Sequence, residues 1–437
     1  MIGYKESLSG LIPEYWDEIS LTKVIDKYID NRGKTVPVID EVTKMVLIAT
    51  NCIKEENLYP VKEKVRYVPD EIYKNWFRGH PEPGDIIIVN KGTPGLVSFV
   101  PDEIDFCIAQ DMVAIRINMK LMYNKFLFAY MRSRYFKWQV YSLNVGTTIP
   151  HLKKTYFKEL IIPKPPMPEQ IFIGDLYFSI SRKIDLLRRQ NETLEQIAQT
   201  LFKHWFVDFE FPDENGRPYK SSGGEMLPSE LGEVPRGWEY KSIDELDLYI
   251  TDLVANGSFA KLKENVRTYD DVSYALFIRN TDLKSNFKNK VYVDKASYDF
   301  LSKSKLFGGE IIISNVGDIG SVHLCPFFKI PMTLGNNCIL VKSKNFHYWL
   351  YTLFKSKIGY NQLKSAVVGS VQEKLSKTNF KLINIIFPKM DILTEFENLV
   401  EDIYLRIFSN KDQINNLVDL RNLLLPKLIS GKIRIRE

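Results

Sequence analysis

Two stretches of the chain carry apolar residues at alternating steps of four and three, a spacing that predicts long amphipathic helices. The first covers about residues 168–205 and is interrupted once by Asn191. The second covers about residues 392–425 and is interrupted by Asn410 and Arg421. A helix of roughly 35 residues is about 50 Å long, more than one small domain needs. We therefore predict an antiparallel helix pair, in which Asn191 either fixes the register or lies exposed.

The sequence also repeats itself at an offset of 222–225 residues. Residues 84–88 (GDIII) reappear as residues 309–313 (GEIII), and the glycines of the following loop reappear in the same order. Each copy contains short hydrophobic runs that predict strands, followed by a basic, aromatic-rich stretch that predicts helical structure, at 126–141 and 348–363. One unit of about 220 residues is thus present twice. Two copies predict a two-lobed molecule with pseudo-two-fold symmetry.

These patterns give an α+β fold class and a division of the chain into five parts. Residues 207–233 are rich in Pro, Gly, Ser and Glu, which is typical of a linker. The predicted parts are a first lobe at 1–165, a first long helix at 166–206, the linker at 207–233, a second lobe at 234–390, and a second long helix with its tail at 391–437.

The composition is that of an ordinary globular protein, with 45% hydrophobic and 26% charged residues. No apolar run approaches the roughly 18 residues of a membrane span. The first ten residues lack the apolar core of a secretory signal. The four cysteines are widely spaced. We therefore expect a cytoplasmic protein with reduced thiols.

The net charge of +5 conceals two strongly basic blocks. Residues 116–164 carry ten basic residues and one acidic residue, and residues 341–389 carry nine and one. Two such blocks predict two surfaces for a polyanion, although solvated helix faces would have the same composition. The candidate phosphate contacts are Arg132, Arg134, Lys137, Lys153 and Lys154 in the first block, and Lys355, Lys357, Lys364, Lys374 and Lys377 in the second.

Motifs that carry catalysis are absent from the sequence. It contains no phosphate-binding loop, no glycine-rich dinucleotide or methyl-donor fingerprint, and no zinc-ligand spacing around Cys325 and Cys338. Asp213 precedes a Glu239-Tyr240-Lys241 run as in some metal-dependent nucleases, but it falls in the linker, where chance is the better explanation. We therefore predict no catalytic residue and no metal in this chain.

Three motifs resemble a known family. They are LLLPKLISGKIR at 423–434, LEQIAQTLF with WFVDF within 194–209, and LGEVPRGW at 231–238. They resemble the specificity subunits of type I restriction–modification enzymes, and the resemblance covers the whole chain. It implies two target-recognition domains held apart by two antiparallel helices. The subunit performs no chemistry in that family and reads a bipartite DNA target, one half-site per domain.

The resemblance also implies partners and cofactors. Partners would be double-stranded DNA, two methyltransferase subunits, and restriction subunits that translocate and cleave DNA. This chain would hold no cofactor, whereas S-adenosylmethionine, ATP and Mg²⁺ would belong to the partner subunits. A non-enzymatic scaffold for RNA or an acidic protein is the alternative function. A fused restriction–methyltransferase polypeptide is disfavoured, because the methyl-donor and helicase motifs are missing.

Glycine-containing loops after two predicted strands are candidates for reading bases, because turns at strand ends can present polar groups to a DNA groove. Plain structural hairpins are the alternative. An aromatic cluster at the end of the first long helix is a candidate partner anchor, with packing beneath the linker as its alternative. The base-reading candidates are Lys91, Thr93, Arg279, Asn280 and Asn315, and the partner-binding candidates are Trp205, Phe206 and Phe209.

Overall fold

The computed structural model describes residues 3–31, 34–144, 149–229, 232–285, 287, 289–369 and 373–433. The chain divides into two compact units. Unit 1 consists of Met1–Arg189 with Lys411–Glu437, and unit 2 consists of Gln190–Asn410. Of the sequence features above, Leu231 and Arg434, at the edges of two family motifs, lie outside the described residues.

Unit 1 is built from short strands and helices that precede the first long helix. Its elements are β1 (Tyr4–Ser7), β2 (Gly10–Pro13), β3 (Asp17–Ser20), β4 (Ile25–Asp30), β5 (Met45–Ile48), β6 (Arg66–Val68), α1 (Asp70–Asn75), β7 (Ile86–Val89), β8 (Val97–Phe99), β9 (Phe106–Ile108), β10 (Met112–Ile117), α2 (Asn124–Met131), α3 (Arg134–Ser142), β11 (Ile161–Lys164) and the start of α4 (Met167–Phe206).

Unit 2 follows the same plan and contains the end of α4. Its further elements are β12 (Met226–Ser229), β13 (Gly232–Pro235), β14 (Glu239–Ser242), β15 (Leu248–Asp252), α5 (Phe259–Asn265), β16 (Thr268–Tyr269), β17 (Ala275–Ile278), α6 (Asn280–Lys284), β18 (Tyr292–Val293), α7 (Lys295–Phe300), β19 (Lys305–Leu306), β20 (Ile311–Ser314), β21 (Val322–Leu324), β22 (Met332–Leu334), β23 (Cys338–Ser343), α8 (His347–Lys355), α9 (Lys357–Ser365), α10 (Lys377–Lys381), β24 (Asn384–Phe387) and the start of α11 (Met390–Ile429).

The four-stranded sheets of the two units correspond strand by strand, whereas the second sheet has three strands in unit 1 and five in unit 2. A four-stranded antiparallel sheet has the order β4-β10-β7-β8 in unit 1 and β15-β23-β20-β21 in unit 2. A second sheet contains one parallel pair, β5 with β9 and β17 with β22. The two-stranded pairs β3-β11 and β14-β24 also match. The α+β class and the internal repeat are therefore confirmed.

The central strands are buried because they carry continuous runs of β-branched residues. All four residues of β7 and of β20 are buried. In each unit one face of the four-stranded sheet packs under the aromatic helices and the other faces the second sheet. Ile86 and Ile88 lie with α2 in one core, whereas Ile87 and Val89 lie with β5 in another. This alternation is the two-residue period of a strand.

The basic, aromatic-rich stretch, predicted to be helical, forms two helices in each unit. Ser133 separates α2 from α3, and Ser356 separates α8 from α9. Both serines have extended backbones, and each side chain accepts a hydrogen bond from the amide three residues on, at 3.3 Å and 3.2 Å. A serine in that geometry begins a new helix rather than continuing the old one.

The two long helices are present, and each is 40 residues long. In unit 1 the first part of α4 packs on the last part of α11, where Ile184, Leu187 and Ile414 form one buried cluster. In unit 2 the last part of α4 packs on the first part of α11, and the Trp205 ring lies 6.0 Å from that of Phe396. Rising numbers on α4 meet falling numbers on α11, so the segments run antiparallel within each unit.

A polar contact interrupts the apolar packing of α4 and α11 in unit 2. Asn410 is fully buried, and its Nδ2 donates to Asn191 Oδ1 at 2.8 Å and to Gln190 Oε1 at 3.2 Å. Asn191 Nδ2 in turn reaches the carbonyl of Ile407 at 3.5 Å. Asn191 therefore lies in the helix interface rather than on an exposed face.

The segment after α4, predicted as a linker, packs within unit 2. The Phe211 ring stacks between the rings of Tyr219 and Trp238, at centroid distances of 4.6 and 5.4 Å. Phe211 and Trp238 are both buried. In the described part of the chain no helix is both long and apolar enough to cross a membrane.

Candidate nucleic-acid interface

The same loop follows the second strand of the four-stranded sheet in both units. It reads Asn-x-Gly-x-x-Gly, at residues 90–95 in unit 1 and 315–320 in unit 2. Its glycines Gly92, Gly95, Gly317 and Gly320 have φ between 78° and 90°, where side chains are strained. A Cβ added to Gly92 or Gly317 would meet no atom within 4 Å, so both loop tips are open to solvent.

Each loop is tied by its backbone to a lysine-containing segment far along the chain. In unit 1 the Leu152 amide donates to the Asn90 carbonyl at 2.8 Å, and the backbones of Lys91 and His151 form an isolated antiparallel β-bridge. In unit 2 the Leu375 amide donates to the Asn315 carbonyl at 3.0 Å. These matching bonds bring the glycine loop and the end of the basic block together twice. We call each pair of segments a loop framework, residues 90–95 with 151–155 in unit 1 and 315–320 with 374–378 in unit 2.

Two of the predicted phosphate contacts in the loop frameworks already have carboxylate partners. Lys154 pairs with Asp30 at the end of β4, and Lys377 Nζ lies 3.3 Å from Asp252 at the end of β15. Both ion pairs occupy matching positions of the repeat, so they fix the loop framework to the sheet edge. Lys91, Lys153 and Lys374 are exposed, and the structure gives them no carboxylate partner among the described residues. They are the better phosphate candidates.

Two cavities in unit 1 adjoin the loop framework. One, of about 450 Å³, contains Lys91, Lys153 and Lys154 together with Arg78 and other polar groups. The other, of about 340 Å³, lies under the loop and is lined by Thr93, Lys137, Tyr141 and other residues. Lys137 pairs with Glu55, which offsets its charge. Sequence reasoning missed Arg78 because it lies outside the basic block.

The candidates of the α8–α9 region in unit 2 are spread along the helices. Lys355 ends α8, Lys357 begins α9, and Lys364 lies near the end of α9; all three are exposed. Lys364 is nearest to the loop framework, because its Nζ lies 5.8 Å from the ring of Tyr360, and that ring is the nearest neighbour of Gly320. In unit 1 the exposed Arg134 begins α3 and donates to the hydroxyl of Tyr135 at 2.9 Å.

Arg279 has a structural role that the sequence did not reveal. Its Nη2 and Nε donate to the two carboxylate oxygens of buried Asp282 at 2.7 and 2.9 Å, and Nη2 also reaches the Asn289 carbonyl. This hydrogen-bonded pair raises the pKa of Arg279 and neutralises its charge at the start of α6. The Arg279 guanidinium is therefore engaged in a structural ion pair. Asn280, in contrast, has a buried amide oxygen with no partner among the described residues.

Each glycine loop begins with an asparagine whose side-chain amide oxygen is in the same situation as that of Asn280. Asn90 Oδ1 and Asn315 Oδ1 are buried and have no hydrogen-bond partner in the part of the chain that the structure describes. An unsatisfied amide oxygen is costly unless something else supplies a donor. Because the two asparagines match in the repeat, the feature belongs to the shared framework.

Three of the predicted contacts are corrected by their burial. Arg132 is only 7% exposed, so it cannot lie on a surface that meets DNA. Trp205 and Phe206 lie in the core of unit 2, where the Phe206 ring is 4.9 Å from that of Phe396. They pack beneath the segment after α4 and offer no surface to a partner. Phe209 is half-buried and lies edge-on to Trp238 at 5.4 Å, so it remains only partly accessible.

The cysteines are buried thiols. Burial raises the pKa of Cys107 and of Cys338 to about 12, and raises that of Cys325 as well. His323 is hydrogen-bonded to Ser321 at 2.8 Å. Among the described residues no group of three or more His, Cys, Asp or Glu is placed to hold a metal ion.

Comparison with known proteins identifies the family. The model of the type I restriction modification DNA specificity domain matches residues 13–196 and again residues 235–417. The MjaIX specificity subunit of Methanocaldococcus jannaschii is 28% identical over 310 residues, which are 67% of this chain and 65% of that protein. The HindI specificity subunit of Haemophilus influenzae is 26% identical over 398 residues, covering 78% of this chain and 84% of that protein.

A solved structure shares the fold. The S subunit of a type I restriction–modification system from M. genitalium superposes with a TM-score of 0.54 at 16% identity, covering 94% of this chain and 96% of that one. The two matches to the family model coincide with the two copies of the repeat and include most of the chain. The chain therefore belongs to the family of type I restriction–modification specificity subunits.

Proposed function

We propose that this specificity subunit binds a bipartite DNA target, with unit 1 contacting one half-site and unit 2 the other. The observation that carries the proposal is the loop framework, which recurs with the same backbone bonds, the same orphaned asparagine oxygen and the same lysine-to-aspartate ion pair. A framework that recurs while its loop residues differ is what two readers of different sequences require. Lys91 and Thr93 in unit 1 correspond to Val316 and Asp318 in unit 2.

The residue types in the loop frameworks support separate roles in contacting phosphates and in reading bases. Exposed Lys91, Lys153 and Lys374 would meet phosphates, which position the protein without reading sequence. The open loop tips would place Thr93 and Asp318 near base edges, where hydroxyl and carboxylate groups discriminate between bases. In this proposal the chain performs no chemistry itself. It acts in the cytoplasm as a scaffold for methyltransferase and restriction subunits, and those subunits would hold S-adenosylmethionine, ATP and Mg²⁺.

Salt-dependent DNA binding tests the phosphate contacts. The full chain is assembled with its methyltransferase subunits, and its affinity for duplex DNA is measured as the salt concentration rises. Lys153→Gln combined with Lys374→Gln should weaken binding to all sequences and reduce the salt slope by about 0.9 for each lost contact. Lys74→Gln on α1 and Lys263→Gln on α5 are matched controls outside the loop frameworks.

The same assay separates the proposal from its alternative. An unchanged salt slope in the double variant would show that the lysines of the loop frameworks do not contact DNA phosphates. Binding of an RNA duplex or an acidic protein in preference to DNA would favour the scaffold function instead. Tight DNA binding that the double variant weakens, and the control variants do not, is the result that the proposal requires.

A further inference from the structure

Three arginines converge in the interior of unit 1. Arg132 lies at the end of α2, Arg188 on α4 and Arg421 on α11. Arg132 and Arg421 are only 7% and 8% exposed, and Arg188 is half-buried. We call these three side chains the arginine cluster. Arg421 is the residue that interrupts the apolar pattern of the second long helix.

Aromatic rings separate the two most buried guanidinium groups. The guanidinium carbon of Arg132 lies 5.2 Å from the Phe128 ring, and that of Arg421 lies 6.0 Å from the Tyr177 ring. The two rings are themselves 6.4 Å apart and edge to face. The rings contact the flat faces of the guanidinium groups. The N–H groups at the edges therefore need hydrogen-bond acceptors from other groups.

Few protein acceptors meet those edges. Both Nη atoms of Arg132 are buried without a hydrogen-bond partner among the described residues. Among the described residues Arg421 reaches only the amide oxygen of neighbouring Asn422, at 3.3 and 3.4 Å, and Arg188 Nη1 donates to the Glu56 carbonyl at 2.7 Å. A buried guanidinium with unmade hydrogen bonds is strongly destabilising in isolation.

The carboxylates that act on the cluster are shared with other cations. Those that act on Arg188 and Arg421 belong to Glu55, Glu56 and Asp185. Glu55 also pairs with Lys137, and Asp185 also pairs with Arg189 at 2.9 Å. Burial and repulsion between the arginines lower the pKa of Arg188 and of Arg421.

Unit 2 shows that the repeat does not impose this arrangement. The counterpart of Arg132 is Lys355, which is exposed at the end of α8. The counterpart of Arg421 at an offset of 223 is Ala198, which is fully buried in an apolar core. The fold can therefore be built with an uncharged residue at this position, and unit 1 holds a guanidinium there instead.

We propose that the arginine cluster binds a phosphate-sized oxoanion inside unit 1. Such an anion would supply acceptors to the open edges of Arg132 and offset the positive charge of the buried arginines. Guanidinium groups suit this ligand, because their planar N–H pairs match two oxygens of a tetrahedral anion. The ligand is a small free oxoanion such as phosphate, because the cluster is too buried to admit the backbone of a nucleic acid. The site is independent of base recognition by the loops and does not rest on the proposed function.

Thermal unfolding of the full chain tests the site. Sodium phosphate is titrated into a buffer free of other oxoanions, with sodium chloride holding the ionic strength constant. The wild-type Tm should rise saturably, by about 5 °C at a hundredfold excess over Kd. Arg132→Met and Arg421→Met should abolish the rise. Arg132→Met should also be at least as stable as wild type without phosphate, because it removes an unpaired charge.

Arg66→Met is the control, because this exposed arginine lies on β6 of unit 1 outside the cluster; it should keep the full response. A wild-type Tm that does not rise above the chloride control, or a full rise in Arg132→Met, would overturn the proposal. Equilibrium dialysis of the wild-type chain against labelled phosphate gives the answer without any variant. One phosphate per chain is expected, and none would overturn the site.

Discussion

At the scale of single residues, Glu397 is the clearest source of pH-dependent stability. Its carboxylate oxygens accept hydrogen bonds from the amides of Trp349 and Tyr348 at the start of α8, at 2.6 and 3.1 Å. Burial nevertheless raises its pKa from 4.5 to about 7. The folded chain therefore holds this proton at pH values where the unfolded chain has released it.

The sign of the effect follows from that proton. Between pH 4.5 and about 7 the folded state binds more protons than the unfolded state, so the free energy of unfolding should fall as the pH rises through this range. Glu397→Gln should flatten that fall by about 2–4 kcal/mol. Urea unfolding of both proteins at several pH values measures the difference. Parallel pH profiles would mean that Glu397 ionises freely in the fold.

The ion pairs of the loop framework give a second residue-scale prediction. Asp30 holds Lys154 at the edge of the unit 1 sheet and competes with any phosphate for that lysine. Asp30→Asn should release Lys154, strengthen DNA binding to all sequences and steepen the salt slope by about 0.9. Asp252→Asn is the matched change for Lys377 in unit 2. If affinity falls in both variants, the aspartates serve to position the lysines rather than to restrain them.

At the scale of elements, we expect the serines that begin α3 and α9 to contribute measurably to the free energy of unfolding, although each helix has only nine residues. Ser133→Ala and Ser356→Ala each remove a side-chain acceptor from the first turn, at a cost of about 1 kcal/mol. Ser365→Ala near the end of α9 is a control, because its hydroxyl bonds only to the Gln362 carbonyl within the same helix. Chemical denaturation measures all three, and equal losses would contradict the capping role.

The asparagine pair of the long helices gives the other prediction at this scale. Asn191→Leu with Asn410→Leu replaces a buried polar contact by apolar packing and should raise the free energy of unfolding by about 1–3 kcal/mol. Asn410→Leu alone should gain less, because Asn191 then loses its partner. Denaturation of the single and double variants compares them. A double variant less stable than wild type would show that the pair stabilises the helices directly.

The sequence predicts some elements well and others poorly, for identifiable reasons. The apolar runs of β5, β7, β17 and β20 and the spacing of the long helices reflect burial directly, so their positions follow from the pattern. The breaks at Ser133 and Ser356 were missed because aromatic residues continue on both sides. The parallel pairing of β5 with β9 depends on chain crossings that a local pattern does not encode.

The candidate site divides in the same way. The glycine loops and the lysines beside them were found because both recur at a fixed offset. The burial of Arg132 could not be found, because it depends on α4 and α11 covering the end of α2. The commitment of Arg279 to Asp282 depends on the first turn of α6, although an acidic residue three positions on is a visible signal.

At the scale of the whole molecule, both long helices continue from one unit into the other. Under the proposed function, adding one heptad to each helix, after Leu187 and after Asn410, lengthens both by about 10 Å. The unread gap of the DNA target should then grow by about three base pairs, with both half-sites kept and some affinity lost to rotation. Methylation by the assembled complex on targets of different gap length measures this. Methylation only at the original gap would contradict it.

The most direct test of two independent half-site readers is a reciprocal exchange in the matched loops. Methylated adenines are mapped for complexes containing the wild type, Thr93→Asp or Asp318→Thr, each of which gives one loop the residue of the other. We expect a wild-type motif of two specified half-sites around a constant gap. We also expect Thr93→Asp to alter one half-site and Asp318→Thr the opposite one. A motif without a gap, or two variants that alter the same half-site, would contradict it.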